Sequence, residues 1–535
     1  MLRTLLVFCW VTGVGLLYAC GGNEKVSAFE AKRDTTITPA NEYNPLHLDS
    51  LTLAEYVVRE NLSDQLKKEL FDFYIGRNFQ YAWFKDQSLN EHAYSFYHAQ
   101  SNFIAYNLDS SFYNAKMDRL LDSLQNDSTY KIDINRRPEI EMLLSTQFFR
   151  FASRAFEGSQ QIKTADLGWY IPRKKIDLVQ SLDALLTGNL DSLQIGYLPQ
   201  YRELRKHLIE YYQIEKSGGW PIIRTSLKKL KKGDQDTAVL LLKKRLYITG
   251  DMQAIDSSLL FDEAVEAGVK SFQQRYGLIP TGEVNTGLLS ELNVPIRMRI
   301  EQMLVNMERM RWAPAQGNED FLFVNIPAFK LYVYEQGKLS FDMNVVVGKS
   351  VHKTVIFNGS MKHVVFAPYW NVPYSIVKNE IVPAMQRNKN YISRNNMEIT
   401  GYSGGLPVVR QKPGPKNALG KVKFLFPNSY NIYLHDTPSK GLFSNETRAF
   451  SHGCIRLAEP KKLATFLLRN QSQWDNDKID AAMNGSKETW VNLNKPVPVA
   501  IGYFTAWVDR NGKLNFRDDI YGHDKALREQ LFLKK

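Results

Sequence analysis

The hydrophobic period of this chain changes near residue 320, and the change predicts a helical part joined to a β-rich part. Before it, apolar residues recur at helical spacing: Leu53, Tyr56 and Val57, then Leu62, Leu66, Leu70 and Phe73. After it the period is two. Phe321, Phe323 and Asn325 alternate with Leu322 and Val324, and Leu331 and Val333 alternate with Tyr332 and Tyr334. Gln336-Gly337-Lys338 reads as a turn, and a further strand runs from Leu339 to Gly348. With 535 residues and about 150 residues per domain, the expectation is a multidomain α+β chain. Hydrophobic content of 44% and charged content of 23% exclude a disordered chain.

The boundaries follow from breaks in these patterns. Arg3 and the apolar run Leu5 to Tyr18 make residues 1–20 a secretory signal, too short for a membrane span. Leu17-Tyr18-Ala19-Cys20 resembles a lipobox, which implies a lipidated Cys20 and an anchor in a membrane. Residues 21–45 are polar and aperiodic, a tether. Residues 46–235 read as a helical scaffold, broken near its end by Gly218-Gly219-Trp220-Pro221. Residues 236–295 form a small module with three helices, the first marked by Val239, Leu242 and Leu246. Ala264, Val265, Val269 and Phe272 mark the second, and Thr286 to Leu292 the third. Its Ser271-Phe272-Gln273-Gln274, Gly277-Leu278 and Thr281-Gly282 resemble the three-helix peptidoglycan-binding domain of wall enzymes. Residues 296–318 are a connecting helix and 319–508 a β domain. That domain is interrupted at about 373–412 by a helix, Ile376 to Met385, and then irregular polar chain with Gly401, Gly404 and Gly405 as flexible joints. An insertion of this size predicts a lid. Residues 509–535 read as a tail.

Net charge is +12, which favours an anionic partner. The densest basic run, Lys228-Lys229 to Lys231-Lys232, sits in a linker and lacks any nucleic-acid motif, so it reads as a solvated surface. The three cysteines are more telling. Cys9 leaves with the signal and Cys20 is consumed by lipid, so Cys454 remains as a lone thiol in an oxidising compartment. Such a thiol is either a buried, inert residue or a nucleophile.

Its neighbourhood favours the nucleophile. A thiol needs a base to raise its thiolate fraction. His435 ends the strand Asn431 to His435 and lies 19 residues before Cys454, enough for the chain to turn and return alongside. Alternation puts Tyr433 and His435 on one face and sends Asp436 to the other, so a backbone carbonyl is the expected partner for His435. Gly453 removes a Cβ beside Cys454 and lets backbone N–H groups approach an oxyanion. Arg456 falls on the same side as Cys454 and suits a substrate carboxylate. Zinc bound by His435, His452 and Cys454 is a rival reading, but a fourth ligand at suitable spacing is missing.

Ser451-His452-Gly453-Cys454-Ile455-Arg456-Leu457, preceded by Tyr433-Leu434-His435, resembles the motif of L,D-transpeptidases with a YkuD-type catalytic domain. Further segments resemble the large YcbB-type branch, which has a scaffold, a peptidoglycan-binding module and an inserted lid. They are Asn306 to Trp312, Val345 to Lys349, Tyr369 to Pro373, Pro413 to Gly420 and His435 to Pro438. The resemblance implies Cys454 as nucleophile and His435 as base. Tyr433 and the N–H groups of Gly453 and Cys454 become oxyanion donors, His452 shapes the pocket, and Ser451 orients its neighbours. Trp370 and Asn371, where the insertion joins, become candidates to line the cleft. It implies 3→3 cross-linking of peptidoglycan stem peptides through a thioester, without metal or organic cofactor, in a periplasm and in service of wall biogenesis and cell shape. An L,D-carboxypeptidase and a non-catalytic wall-anchoring lipoprotein remain the alternatives.

Overall fold

The computed structural model describes residue 36 and residues 44–189, 197–314 and 317–533. The expected signal, Cys20 and nearly all of the tether lie outside the described residues. No described helix is long and apolar enough to cross a membrane.

The chain divides into two compact units. The first takes in the described residues up to His98 with Tyr113–Arg150 and Leu178–Asn189. Its helices include Ser50–Arg59, Asp64–Gly76 and Ala115–Asn126, started by side-chain caps from Asp49, Ser63 and Asn114. Leu53, Tyr56, Phe73, Tyr74 and Trp83 fill its interior. Buried among them, Glu141 accepts from the N–H groups of Ala82 and Trp83 and from the Tyr74 hydroxyl. Burial pushes its carboxyl up to about 7.

The second unit comprises Ala99–Phe112, Phe151–Asp177 and the described residues beyond 190. Its small module has the three expected helices, Thr237–Ile248, Glu263–Arg275 and Thr286–Leu292, capped by Asp236, Asp262 and Asn285. Val239, Leu242, Val265, Phe272 and Leu288 close its core. The basic run is not a linker. Lys229–Leu230 is a strand paired with Val284–Asn285, with Leu230 buried and the lysines in solvent.

The helix Ile296–Trp312 is buried on almost every side, including its charged residues Glu308, Arg309 and Arg311. Glu308 accepts from Arg154 at 3.0 Å, from the Ser159 N–H at 2.6 Å and from Arg311 at 2.5 Å. These cations hold its carboxyl down at about 2 despite burial.

The β domain, with its strands numbered here from Phe321, begins β1 Phe321–Asn325, β2 Lys330–Glu335, β3 Lys338–Gly348 and β4 Asn358–Phe366. The insertion holds β5 Trp370–Asn371, β6 Met397–Ser403 and β7 Leu406–Gln411. There follow β8 Val422–Leu425, β9 Leu434–His435, β10 Ala449–Ser451, β11 Ile455–Leu457 and β12 Thr489–Gly502. The large sheet runs β10-β3-β11-β9-β8-β4-β12-β1-β2, and β2 also pairs with β3. The sheet therefore closes into a barrel of eight strands with β10 attached outside, and closure removes the free edges. Leu322, Val324, Val345, Phe424, Leu434 and Ile455 are among the side chains that fill it.

Ile162, Leu167, Trp169 and Ile171, read as scaffold, pack into the same apolar cluster as the barrel. Three expectations are corrected. Residues 509–535 are not a loose tail: Leu514–Phe516 pairs with Ala506–Val508, and Tyr521 and Leu527 join the barrel core. The insertion is not irregular after its helix. Strands β6 and β7 form a hairpin that pairs onto β5, so its exposed polar residues conceal a three-stranded sheet. Gly404 and Gly405, at φ 56° and 78°, make the hairpin turn, and Gly401 sits at a bulge in its register, so these glycines serve a regular element rather than loose joints.

Candidate active site

Strands β9 and β11 are parallel neighbours, with Leu434 opposite Ile455 and His435 opposite Arg456. Leu434, Ile455 and Leu457 are turned into the barrel, each fully buried. Alternation therefore turns Tyr433, His435, Cys454 and Arg456 to the outer face. The Ile455 N–H donates to the Tyr433 carbonyl at 3.1 Å and sets Cys454 beside Tyr433. Cys454 and His435 lie diagonally across the two strands, roughly 8 Å apart at their α-carbons by strand spacing.

The hydrogen bonds of the thiol run to the Asn431 carbonyl, at 3.6 Å, and to the Tyr433 hydroxyl. Asn431 lies at φ 55°, off the strand that the sequence predicted to begin there, and this turn aims its carbonyl at sulfur. Burial pushes the thiol up, opposed by Tyr433 and the charge of Arg456. Burial and the charge of Arg456 push His435 down to about 4. The resting pair is therefore a neutral thiol and a neutral imidazole.

The His435 Nδ1 lies 2.5 Å from the Asp436 carbonyl. A carbonyl only accepts, so Nδ1 carries the proton and Nε2 keeps its lone pair for use as a base. The orienting group is a backbone carbonyl, as alternation predicted. The Asp436 carboxylate faces elsewhere, to the Lys421 N–H at 2.9 Å and Lys440 at 2.6 Å.

The loop that carries Cys454 is braced from beneath. The Ser451 hydroxyl donates to the Cys454 carbonyl at 2.5 Å and accepts the Gly453 N–H at 3.2 Å. Gly453 is thereby a poor oxyanion donor, contrary to expectation, because its N–H is engaged. The Cys454 N–H and the Tyr433 hydroxyl remain for that role. Gly453 lies at φ 114°, in the region that favours glycine. Its carbonyl accepts from Thr354 Oγ1 at 2.8 Å, and that oxygen accepts the Gly348 N–H at 2.9 Å. Gly348 approaches so closely that a Cβ there would meet the His352 carbonyl at 2.1 Å. Tyr521 closes the brace, accepting the Thr354 N–H at 3.2 Å and donating to the Gly348 carbonyl.

Arg456 makes no hydrogen bond or ion pair among the described residues, and its Nε is buried without a partner. His452 is half-exposed, its Nε2 lying 3.1 Å from Glu380 of the insertion and its ring 5.1 Å from that of His352. Trp370 and Asn371 are not brought into the Cys454 row. They form β5 opposite Gln411 and Arg410, and Trp370 packs on the insertion's own apolar cluster. Sequence reasoning missed Asn431, Thr354, Tyr521 and Glu380. Only Gly348, in the Val345 to Lys349 segment, carried a signal.

Comparison with known proteins divides the chain in the same terms. Residues 319–499 match the L,D-transpeptidase catalytic domain (YkuD), 68–208 the scaffold domain, and 235–292 the "Putative peptidoglycan binding domain". A "Putative L,D-transpeptidase" of Haemophilus influenzae is 33% identical over 243 residues, covering 42% of this chain and 49% of the relative. The chain thus spans about half the length of the curated relative it matches. Among solved structures, the L,D-transpeptidase of Stackebrandtia nassauensis is 16% identical, covers 52% of this chain and 97% of its own, and has a TM-score of 0.21. That of Xylanimonas cellulosilytica is 12% identical, covers 52% and 100%, and has a TM-score of 0.18. Superpositions this loose carry no argument about function.

Proposed function

We propose, on the premise that residues 319–499 are an L,D-transpeptidase catalytic domain, that this chain cross-links peptidoglycan stem peptides through a thioester on Cys454. The observation that carries the reading is the single outward row of Tyr433, His435, Cys454 and Arg456 on two parallel strands. Cys454 attacks the carbonyl between the third, L-centred residue of a donor stem and its terminal D-alanine. The thiol proton passes to Nε2 of His435 as the S–C bond forms. The Cys454 N–H and the Tyr433 hydroxyl face the oxyanion. The amide C–N bond then breaks, and the imidazolium returns its proton to the leaving D-alanine. An amine from a second stem attacks the thioester and closes a 3→3 link.

Arg456 is suited to the donor's terminal carboxylate, because its guanidinium is held beside the thiol with no partner of its own. The peptidoglycan-binding module supports a substrate in the cell envelope. Lipid on Cys20 and a place in the periplasm, where the enzyme would serve wall biogenesis, complete the reading. The mass of the N-terminal peptide tests the lipid, and an unmodified Cys20 would remove the anchor.

The decisive experiment incubates the purified chain with disaccharide-tetrapeptide and analyses the products by mass spectrometry. Cross-linked dimer and free D-alanine are expected. Tripeptide without dimer would make the enzyme an L,D-carboxypeptidase, and no product at all would leave a wall-anchoring protein.

A further inference from the structure

The proposed reaction has two substrates of opposite charge. The donor ends in a carboxylate, whereas the acceptor brings an amine that is cationic at neutral pH. The polar groups around the nucleophile's loop are sorted in the same way. His452 lies 3.1 Å from the carboxylate of Glu380 and packs against the ring of His352, with Lys349 and Arg456 as the nearby cations. Arg456 lies on the strand of the thiol, while Glu380 comes from the insertion.

The insertion presents Glu380 deliberately. Val377–Ile381 is one turn of π-helix within the helical stretch that begins at Tyr374. Val377 and Ile381 are buried in the insertion's apolar cluster, and Lys378, Asn379 and Glu380 are turned out to solvent. A π turn adds a residue to the helix and re-aims the side chains it carries, which is why such turns recur at functional sites. The Glu380 side chain keeps 55% of its surface exposed while its Oε1 lies 3.1 Å from His452 Nε2. His452 stands two residues before the nucleophile. Its imidazole lies against one oxygen of the carboxylate, and about half of the Glu380 side chain stays open.

We propose that Glu380 is the acceptor-specificity residue of this enzyme: its carboxylate, held over the nucleophile's loop by His452, binds the ammonium group of the incoming stem. The inference rests on the thioester reading above. Once D-alanine has left, His435 is neutral again and takes one proton from the bound ammonium. The amine lone pair attacks the thioester carbonyl, the C–N bond forms and the C–S bond breaks. The nitrogen's second proton goes to the departing sulfur and restores the thiol, while the imidazolium releases the first to solvent. Water carries no charge for Glu380 to hold, so the residue favours cross-linking over hydrolysis.

The test compares the full-length chain with Glu380→Gln, which keeps size and shape, and with Glu380→Asp. Each is given disaccharide-tetrapeptide, and dimer and tripeptide are measured. Glu380→Gln is expected to lower the dimer-to-tripeptide ratio about tenfold, the scale of one charged hydrogen bond, and Glu380→Asp to restore part of it. Acylation of Cys454 by a carbapenem, read by intact mass, should stay within about twofold. Hydroxylamine, a nucleophile that is neutral at the assay pH, should be used equally well by wild type and Glu380→Gln. An unchanged ratio would overturn the proposal. So would an equal loss with hydroxylamine, because Glu380 would then act only to close the insertion against water. Absence of a carbapenem adduct on the wild-type chain would instead sink the thioester reading itself.

Discussion

Two polar clusters in the larger unit reach opposite ends, one closed over and one partly open. Around Glu308 the carboxylate itself is fully matched: two arginines, a backbone N–H and the Trp312 ring nitrogen converge on it, while among the described residues the Arg311 Nε stays buried without a partner. In the Cys454 row the groups are left open. The Arg456 Nε lacks a partner, Nε2 of His435 keeps its lone pair, and the thiol meets the Asn431 carbonyl and the backbone and hydroxyl of Tyr433. A buried polar group that is fully matched holds elements together, and one left unmatched has its free energy available for a substrate. Net charge alone does not separate the two clusters. Their hydrogen-bond partners do.

Substitutions sharpen this contrast. Cys454→Ala should abolish carbapenem adduct and all product while leaving the denaturation midpoint nearly unchanged, since one sulfur at a partly open site creates little cavity. An adduct on the mutant would move the nucleophile elsewhere. Glu308→Ala should do the reverse, lowering stability by about 3–5 kcal/mol because Arg154 and Arg311 are left buried and unbalanced. Urea unfolding measures this, and a loss under 1 kcal/mol would show that the knot is not the brace described. His435→Ala should slow acylation on the order of 10²-fold, whereas His452→Ala should cost less. Reversed effects would exchange the two histidines. The pH dependence is the finest test. His435 serves as a base only when neutral, and it is held down at about 4. Acylation should therefore keep its rate well below the ordinary histidine range and fail as pH drops toward 4. A midpoint near 6.5 would mean that the imidazole is solvated during the reaction.

The two units contrast in stability as well. The Glu141 carboxyl, raised to about 7, binds its proton more tightly folded than unfolded. Stability of the first unit should therefore fall as pH rises from about 4.5 to 7, at up to about 1.4 kcal/mol per pH unit. The Glu308 carboxyl, lowered to about 2, has the opposite sign. Its contribution is present above about 4.5 and is lost as pH falls through 2. Denaturation followed at several pH values separates the two. Parallel pH trends in both units would contradict these assignments.

The sequence was most legible where one face of an element carries the whole signal. Val239, Leu242 and Leu246 mark a helix by spacing alone, and the third module helix has the bounds Thr286 to Leu292 that its pattern predicts. Alternation at Tyr433-Leu434-His435 was enough to reject the Asp436 carboxylate and to point to a carbonyl. It was least legible where the usual sorting of polar from apolar fails. The helix Ile296–Trp312 buries three charged residues near its end, and no period reveals that. Strands β6 and β7 lie largely in solvent, so their residues gave no apolar stripe. Lys229–Leu230 is too short and too basic to read as a strand. Trp169 and Tyr521 reach the barrel from distant parts of the chain, and local pattern holds no record of such contacts.

The brace beneath Cys454 has a consequence in time. Tyr521 lies well after Cys454 in the chain, yet its hydroxyl ties together Gly348 and Thr354, the two residues that support Gly453. A polypeptide is made from its amino end. The thiol therefore emerges before the support that shapes its loop. During that interval the chain carries an unshaped cysteine loop, and the loop takes its form only once the segment around Tyr521 has been made.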